Sequence, residues 1–286
     1  MEAQRREADA ARIARDYCRC LDGGGGALPL EAARPALLET AAPSGFFREL
    51  LAQGKLQVHF PEVAACAGVP QNPLYHPEGD VFEHTMLVLD CAADLRGRAI
   101  HPLGFMLAAL LHDVGKVVAT AADGDGRITA YGHETLGLPL CERQLRRLTG
   151  DEALIGYVLN MTWLHMRPNL LAGCHSRKIK TRLLFDQSVC PEDLILLSRA
   201  DASGKLDAPY DPANEAFLRE RLEDFRRVTA RPAVTEADLA RAGVAPGEAM
   251  ERLLARGRRL RLSGLDRPHA LRQLLAEAAR EPGGGR

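Results

Sequence analysis

Residues 105–116 read Phe-Met-Leu-Ala-Ala-Leu-Leu-His-Asp-Val-Gly-Lys, and no other stretch limits the possible folds as tightly. Phe105 to Leu111 is an unbroken apolar run, and a helix apolar on every side belongs in a core. The spacing predicts that this helix closes at Gly115, since glycine tolerates the left-handed backbone of a C-cap. His112 and Asp113 are thereby carried side by side to a buried helix end. Neither belongs there unpaired. A divalent cation pairs with both at once, because imidazole nitrogen and carboxylate oxygen suit Mn, Fe, Co, Ni and Zn and, less well, Mg.

A chain of 286 residues can bury one large core or two smaller ones. Its composition, 46% hydrophobic and 26% charged, is that of a soluble globular protein. The net charge of −1 excludes a global attraction to nucleic acid or membrane, so any such contact must come from a local patch. The seven cysteines are scattered, without a C-x-x-C pair, and argue for reduced thiols in a cytoplasmic protein. The closest pair, Cys18 and Cys20, is read as incidental. The start, Met-Glu-Ala-Gln-Arg-Arg-Glu, is a charged helical segment and not a signal peptide. The cleanest apolar run, Met106–Leu111, is too short to span a bilayer. No stretch alternates in the manner of a strand, so the expected class is all-α.

In order, the chain predicts an amphipathic helix over residues 1–22, a flexible Gly23–Gly26 break, and short helices from Pro29 to Gln53 with Phe46, Phe47, Leu50 and Leu51 inward. His59 to Asp80 reads as ordered loop with short turns. A long helix follows from about Asp80 to Leu95, with Leu87, Val88, Cys91 and Leu95 on the same face as His84. After a Gly-rich loop at Asp123–Arg127, a helix opens at Tyr131-Gly132-His133-Glu134 with Leu136, Leu140, Leu145 and Leu148 inward. The next starts at Gly150-Asp151, buries Ile155, Val158 and Leu159, carries His165 inward and ends at Pro168. Arg167, Arg177, Lys178, Lys180 and Arg182 form a basic segment. A helix from Pro191, with Glu192 and Asp193 matching its dipole, brings Asp201 to the core face four residues after Leu197. Asp211–Arg227 reads as an outer helix. Thr235-Glu-Ala-Asp238 resembles a capping box, and helices near Gly247–Leu260 and Pro268–Arg280 complete a small C-terminal module before a frayed tail, Pro282–Arg286. The expected divisions are 1–58, an N-terminal helical segment and linker; 59–228, the main domain; and 229–286, the C-terminal helical module.

Six polar residues thus point inward from separate helices: His84, His112, Asp113, His133, His165 and Asp201. The plain alternative is six satisfied core residues. It would have to hold six times in a chain with nine His, and buried carboxylates beside imidazoles demand partners. The remaining His residues, at positions 59, 76, 101, 175 and 269, are expected to be solvated. Glu83 and Glu134 adjoin ligands and could orient them. Adjacent helical residues point about 100° apart, however, so neither need face its neighbour.

The order His84, His112-Asp113, Asp201 resembles the HD-domain metal-dependent phosphohydrolase superfamily, and the added His133 and His165 resemble its two-metal members. The likeness runs closer. Phe60-Pro61-Glu62-Val63, Gly68-Val69-Pro70-Gln71-Asn72-Pro73, His76-Pro77-Glu78-Gly79-Asp80, His84-Thr85, His112-Asp113-Val114-Gly115-Lys116 and Gly132-His133-Glu134 are similar to the linker and HD domain of bacterial CCA-adding tRNA nucleotidyltransferases. Asp238-Leu239, Gly243-Val244 and Pro246-Gly247 also fit that family. The similarity runs from about Thr40 to Leu265. Those enzymes open with a nucleotidyltransferase head bearing a Gly-Ser motif and paired metal-binding Asp residues. Nothing in residues 1–45 matches it; Asp16, Asp22 and the glycines do not form such a site. The resemblance therefore implies a phosphohydrolase without CCA addition, with phosphatase and 2′,3′-cyclic phosphodiesterase activity.

It further implies one or two divalent ions (Mn, Ni, Co, Fe or Mg). His84, His112, Asp113 and Asp201 would hold one, and Asp113 could bridge to a second held by His133 and His165. Bound water would be the nucleophile. Asp113 and Lys116 are the expected catalytic residues. Lys116, Arg167, Arg199 and Lys205 are expected at the substrate, Lys116 on a phosphate oxygen or else as a charge at a helix C-terminus. The substrate would be a nucleotide or RNA-end phosphoester. A dinucleoside polyphosphate, or a non-catalytic tRNA- or RNA-binding role, is the competing reading. A homodimer is allowed by the N-terminal helical faces.

Overall fold

A computed structural model describes residues 12–17, 29–206, 210–231 and 233–280. The fold is all-α. Among the described residues the extended elements are two paired two-residue strands, Ala121–Ala122 and Ile128–Thr129, running antiparallel. They flank a turn in which the Asp123 carboxylate accepts the backbone N–H groups of Asp125 and Arg127. A ladder this short leaves no alternating pattern to read. Most of the expected first helix, the Gly23–Gly26 break, Cys18, Cys20 and the Pro282–Arg286 tail lie outside the described residues. The five described cysteines, Cys66, Cys91, Cys141, Cys174 and Cys190, are free thiols.

The chain divides into two units, residues 1–173 with 188–215, and residues 174–187 with 216–286. The boundary expected at 228/229 falls inside the second unit, because residues 216–228 group with the C-terminal helices, as does the helix Lys178–Gln187.

The first unit is built around the helix Pro102–Leu111, buried without a break from Gly104 to Leu111. The helices Val81–Leu95, Glu152–Leu164 and Pro191–Ser203 pack on it. Each begins on a recognisable signal. The Asp80 carboxylate accepts the Glu83 N–H, that of Asp151 accepts the N–H groups of Ala153 and Leu154, and Pro191 occupies a first-turn position. Val81–Leu95 buries Val81, Phe82, Thr85, Met86, Val88, Leu89 and Ala92 with His84, so Leu87 and Cys91, expected on this face, sit half-buried at its edge. Asp193 lies fully buried in the first turn of its helix. It accepts the N–H of Ile100 at 2.7 Å, the N–H of His101 at 2.9 Å and the Tyr157 hydroxyl at 2.7 Å, tying three elements together. Towards the N-terminus, Pro29–Leu38 buries Leu30, Ala33, Ala36 and Leu37, and Ser44–Ala52 buries Leu50 and carries Phe46 and Phe47 into an aromatic cluster with Tyr17 and Phe60. The stretch expected as loop after His59 contains the helical turn Pro61–Ala64.

Three expectations about this unit are corrected. Gly115 is right-handed, with φ −66°, so it is no left-handed cap. It is glycine because a Cβ there would lie 2.0 Å from the His133 carbonyl oxygen and 2.8 Å from the Gly137 Cα. The single helix expected from His133 is two, His133–Leu136 and Leu138–Leu148, divided at Gly137, and Leu136, expected inward, is exposed. Pro168 does not end the helix that carries His165. That helix stops at Leu164, and Pro168 lies in the first turn of Met166–Gly173, where a missing N–H costs nothing. By length and composition the stretch Pro102–Ala119 could cross a membrane, yet 72% of it is buried inside the chain.

The second unit has its own core of Leu239, Met250, Leu253, Leu260, Ala270 and Leu274, from the helices Glu236–Arg241, Glu248–Leu262 and Arg267–Ala278. The Thr235–Asp238 capping box is formed, Asp serving where Glu is usual, and Arg267 closes on the same carboxylate at 2.6 Å. Arg182, expected in a solvated basic segment, is buried on Asp224 at 2.7 Å.

Candidate metal centre

Four imidazoles and two carboxylates converge in the first unit. His112 and His165 sit at helix C-caps, where backbone carbonyls lack helical partners. His112 Nδ1–H donates to the Ala109 carbonyl at 2.8 Å and His165 Nδ1–H to that of Thr162 at 2.7 Å. His133, opening its short helix, donates Nδ1–H to the Ala130 carbonyl at 2.8 Å. In each case a carbonyl behind the ring fixes the tautomer, and the Nε2 lone pair faces inward. His133 Nε2 and His165 Nε2 stand 3.3 Å apart. Two lone pairs at that distance repel unless a metal cation lies between them or a proton occupies one; burial disfavours a charged His133, yet its bond to Asp113 prevails and raises its pKa.

Asp113 spans the cluster. Its Oδ1 lies 3.0 Å from His133 Nε2 and 3.6 Å from His165 Nε2. Its Oδ2 lies 3.3 Å from His112 Nε2, 3.8 Å from His84 Nε2 and 2.7 Å from Lys116 Nζ. His112 Nε2 and Asp113 Oδ1 are buried with no hydrogen-bond partner, a costly state without a ligand. Of three groups whose donors lie within 4.8 Å of one another, two share Asp113, His84–His112–Asp113 and Asp113–His133–His165, and the third, His76–Glu78–His84, lies behind His84. Asp201, in the last turn of its helix, joins the first through His84 Nε2 at 3.2 Å. Gly204 allows this approach, since a Cβ there would lie 2.6 Å from Val88 Cγ2.

The electrostatics carry the same signature. Burial raises the Asp113 carboxyl, but Lys116 and His112 overcome it and hold the group well below the usual range. Asp201 is likewise held low, its burial outweighed by His84 and by the charge of Lys205. Burial disfavours a charged His84, yet its bonds to Asp201 and Glu78 prevail and its pKa is raised. The ring thus lies between two carboxylates, Nδ1 on Glu78 and Nε2 beside Asp201, where a metal ion could meet Nε2. Burial also dominates at His165 and lowers its pKa, leaving a neutral ligand. Imidazole nitrogens with carboxylate oxygens, aimed inward by outside anchors and partly orphaned, fit a divalent transition metal.

Of the residues expected at the substrate, Lys116 is only 8% exposed. It opens the helix Lys116–Ala119, so it is no C-terminal charge, and its ammonium is engaged by Asp113 and by Gln71 Oε1 at 2.6 Å. It therefore holds a ligand in place instead of presenting a free charge to a phosphate. Arg199 reaches Glu215 at 2.9 Å and covers the Tyr210 ring. Arg167 lies over the Trp163 ring. Lys205 is half-buried, and its charge reaches Asp201 and His76. Arg177, Lys178 and Lys180 belong to the second unit, so the expected basic rim is divided between units. Glu83 pairs with Arg48 at 2.7 Å and Glu134 stands 3.9 Å from His133 Nδ1, so neither orients a ligand.

Two contributors escape sequence reasoning. Glu78 is buried, accepts from both His84 Nδ1 and His76 Nδ1, and is brought down to about 2 by those bonds against its burial. His76, expected to be solvated, packs its ring 4.7 Å from that of His84. Both lie in a loop, where no periodicity reports direction. Their sequence signals are proximity to His84 and the His76–Asp80 motif, and neither assigns them a contact.

No protein-family profile matches the chain. It is similar to the multifunctional CCA protein of Alkalilimnicola ehrlichii, with 35% identity over 71% of this chain and 48% of that protein. It is similar to that of Methylococcus capsulatus, with 32% identity over 86% and 55%, and to that of Halorhodospira halophila, with 34% identity over 66% and 45%. The chain is thus a relative of part of the multifunctional CCA proteins, and it spans about half the length of the curated relatives it matches.

Proposed function

We propose that the chain is an HD-type metal-dependent phosphohydrolase acting on a nucleotide or RNA-end phosphoester, of the 2′,3′-cyclic phosphodiesterase and phosphatase type. The observation that carries this reading is the inward convergence of four anchored imidazoles on one shared carboxylate, with His133 and His165 nitrogens 3.3 Å apart. A divalent cation in either group supplies a Lewis acid that acidifies water and neutralises phosphoryl charge. The chain's residues do the rest. Asp113 faces one group with each oxygen and would help to hold an ion in either. Lys116 fixes Oδ2 and keeps the carboxylate ionised. Leu110, Leu111 and Val114, adjacent to His112 and Asp113 in the chain, are buried, and a surrounding of low polarity strengthens each charge interaction. Lys205 and Arg167 remain the cations proposed at the substrate. The kinship with multifunctional CCA proteins supports a substrate ending in ribose phosphate, a tRNA contact and a cytoplasmic setting. Nucleotide addition is not part of this proposal.

The test is hydrolysis of 2′,3′-cyclic AMP by the purified chain with Ni, Mn, Co or Mg, against an Asp113→Ala control. Metal-dependent turnover lost in the control is the expected result. Tight metal binding without turnover would remove the cyclic phosphodiesterase reading and favour a polyphosphate substrate or a non-catalytic RNA-binding role.

A further inference from the structure

His84 differs from the other three imidazoles in what stands behind it. His112, His133 and His165 each lean on a backbone carbonyl three residues earlier. His84 cannot. It lies in the opening of a helix, where carbonyls point up the axis into helical bonds, and the Val81 carbonyl also accepts the Thr85 hydroxyl. A side chain must take that place. Glu78 Oε1 does so, 2.7 Å from His84 Nδ1, and the same oxygen lies 2.8 Å from His76 Nδ1. The Glu78 side chain is 0% exposed.

The loop that delivers Glu78 is braced from both ends. Gln71 Nε2 donates to the Asp80 carbonyl at 3.1 Å, and Gln71 Oε1 accepts from Lys116, which holds Asp113 Oδ2. The Asp80 side chain caps the His84 helix through Glu83 N–H and accepts the Gly68 N–H at 2.6 Å. Glu78 is thus coupled through Gln71 and Lys116 to the opposite ligand of the same group.

We propose that Glu78 is a positioning residue that fixes His84 with Nδ1 protonated and Nε2 aimed at the metal centre, and that His76 clamps Glu78 in that role. The proposal rests on the metal reading above. A carboxylate behind an imidazole orients the ring and makes it a stronger donor, and loss of such a partner typically weakens metal affinity 10- to 100-fold. His84 is the ligand exposed to this effect, since the carbonyl anchors of the other three carry no charge.

The test uses the full chain with Zn²⁺ as probe. Calorimetry gives the affinity of wild type, Glu78→Gln, Glu78→Ala and His76→Ala, and long-range proton–nitrogen correlations give the protonation of each imidazole in the Zn²⁺-loaded protein. Glu78→Ala is expected to lose about 10- to 100-fold in affinity. Glu78→Gln, which keeps an acceptor oxygen but no charge, should lose less, and so should His76→Ala, which removes only the clamp. The Nδ1–H signal of His84 should shift or exchange faster in the Glu78 variants, while those of His112, His133 and His165 stay fixed. A merely structural role would not single out one ring. Should Glu78→Ala fail to fold, Glu78→Gln carries the comparison. Wild-type affinity and an unchanged His84 signal in Glu78→Gln would overturn the proposal. Absence of Zn²⁺ binding by wild type would overturn the metal reading itself, before any variant is compared.

Discussion

Asp113 is the candidate ligand whose two oxygens face different groups, Oδ1 towards His133 and His165, Oδ2 towards His84 and His112. Its loss and the loss of an outer ligand should therefore differ in kind. Equilibrium dialysis followed by metal analysis is expected to give one tightly bound ion per group in wild type. His133→Ala should keep the ion of the His84–His112 group, and Asp113→Ala should keep neither. Equal stoichiometry in His133→Ala and wild type would remove the bridging role of Asp113. The six inward residues are legible in the sequence because each lies beside apolar residues at helical spacing, before them at His84 and His133 and after them at the other four, so burial can be inferred and unpaired polarity noticed. Glu78, His76 and Gln71 are not legible. They lie between turns, and what they touch is set by tertiary contacts. Lys116 illustrates a partial reading: its closeness to the site follows from the i,i+3 spacing to Asp113, but its engagement with Gln71 does not.

Helix ends and close backbone approaches set the geometry of the centre. Gly115 and Gly137 meet almost backbone to backbone, which brings the His112-Asp113 turn against the short helix carrying His133. Gly115→Ala forces a Cβ to 2.0 Å from the His133 carbonyl and 2.8 Å from Gly137, so the two segments must part. Overpacking of this kind costs about 1–3 kcal/mol or more. In urea titrations Gly115→Ala should lose at least that much, and its metal affinity should fall chiefly at the His133–His165 group. Retained stability would mean that the contact can relax without cost. Sequence alone marks Gly115 as special and misassigns the reason, since a close approach and a left-handed cap both demand glycine and only one shows in local spacing. Asp193 is a similar case. Its first-turn position reads as a dipole partner, yet it is fully buried beneath Tyr157 and two backbone N–H groups. Tyr157→Phe leaves that oxygen with a single donor and is expected to cost about 1–3 kcal/mol in the same titration. A change within error would show that the hydroxyl is not needed to satisfy the carboxylate.

At the scale of the molecule, every candidate ligand belongs to one unit. His84, His112, Asp113, His133 and His165 fall within residues 1–173, and Asp201 within 188–215. The second unit, residues 174–187 and 216–286, has its own apolar core. The sequence shows a C-terminal helical module but not that Lys178–Gln187 groups with it, because membership depends on which buried face meets which. Linkage makes the division testable. A ligand that binds only the folded form stabilises it by about 2.7 kcal/mol at a hundredfold excess over Kd. That free energy acts on the opening of the unit that carries the ligands. Native-state hydrogen exchange with and without Zn²⁺ should therefore show added protection in Val81–Leu95, Pro102–Leu111, Glu152–Leu164 and Pro191–Ser203, by a factor of about 100 for amides that exchange only on opening of the whole unit. Glu248–Leu262 and Arg267–Ala278 should change little, and Asp113→Ala should abolish the gain. Equal gains in both sets of helices would mean that the two units open together, and that Zn²⁺ bound in one stabilises the whole chain.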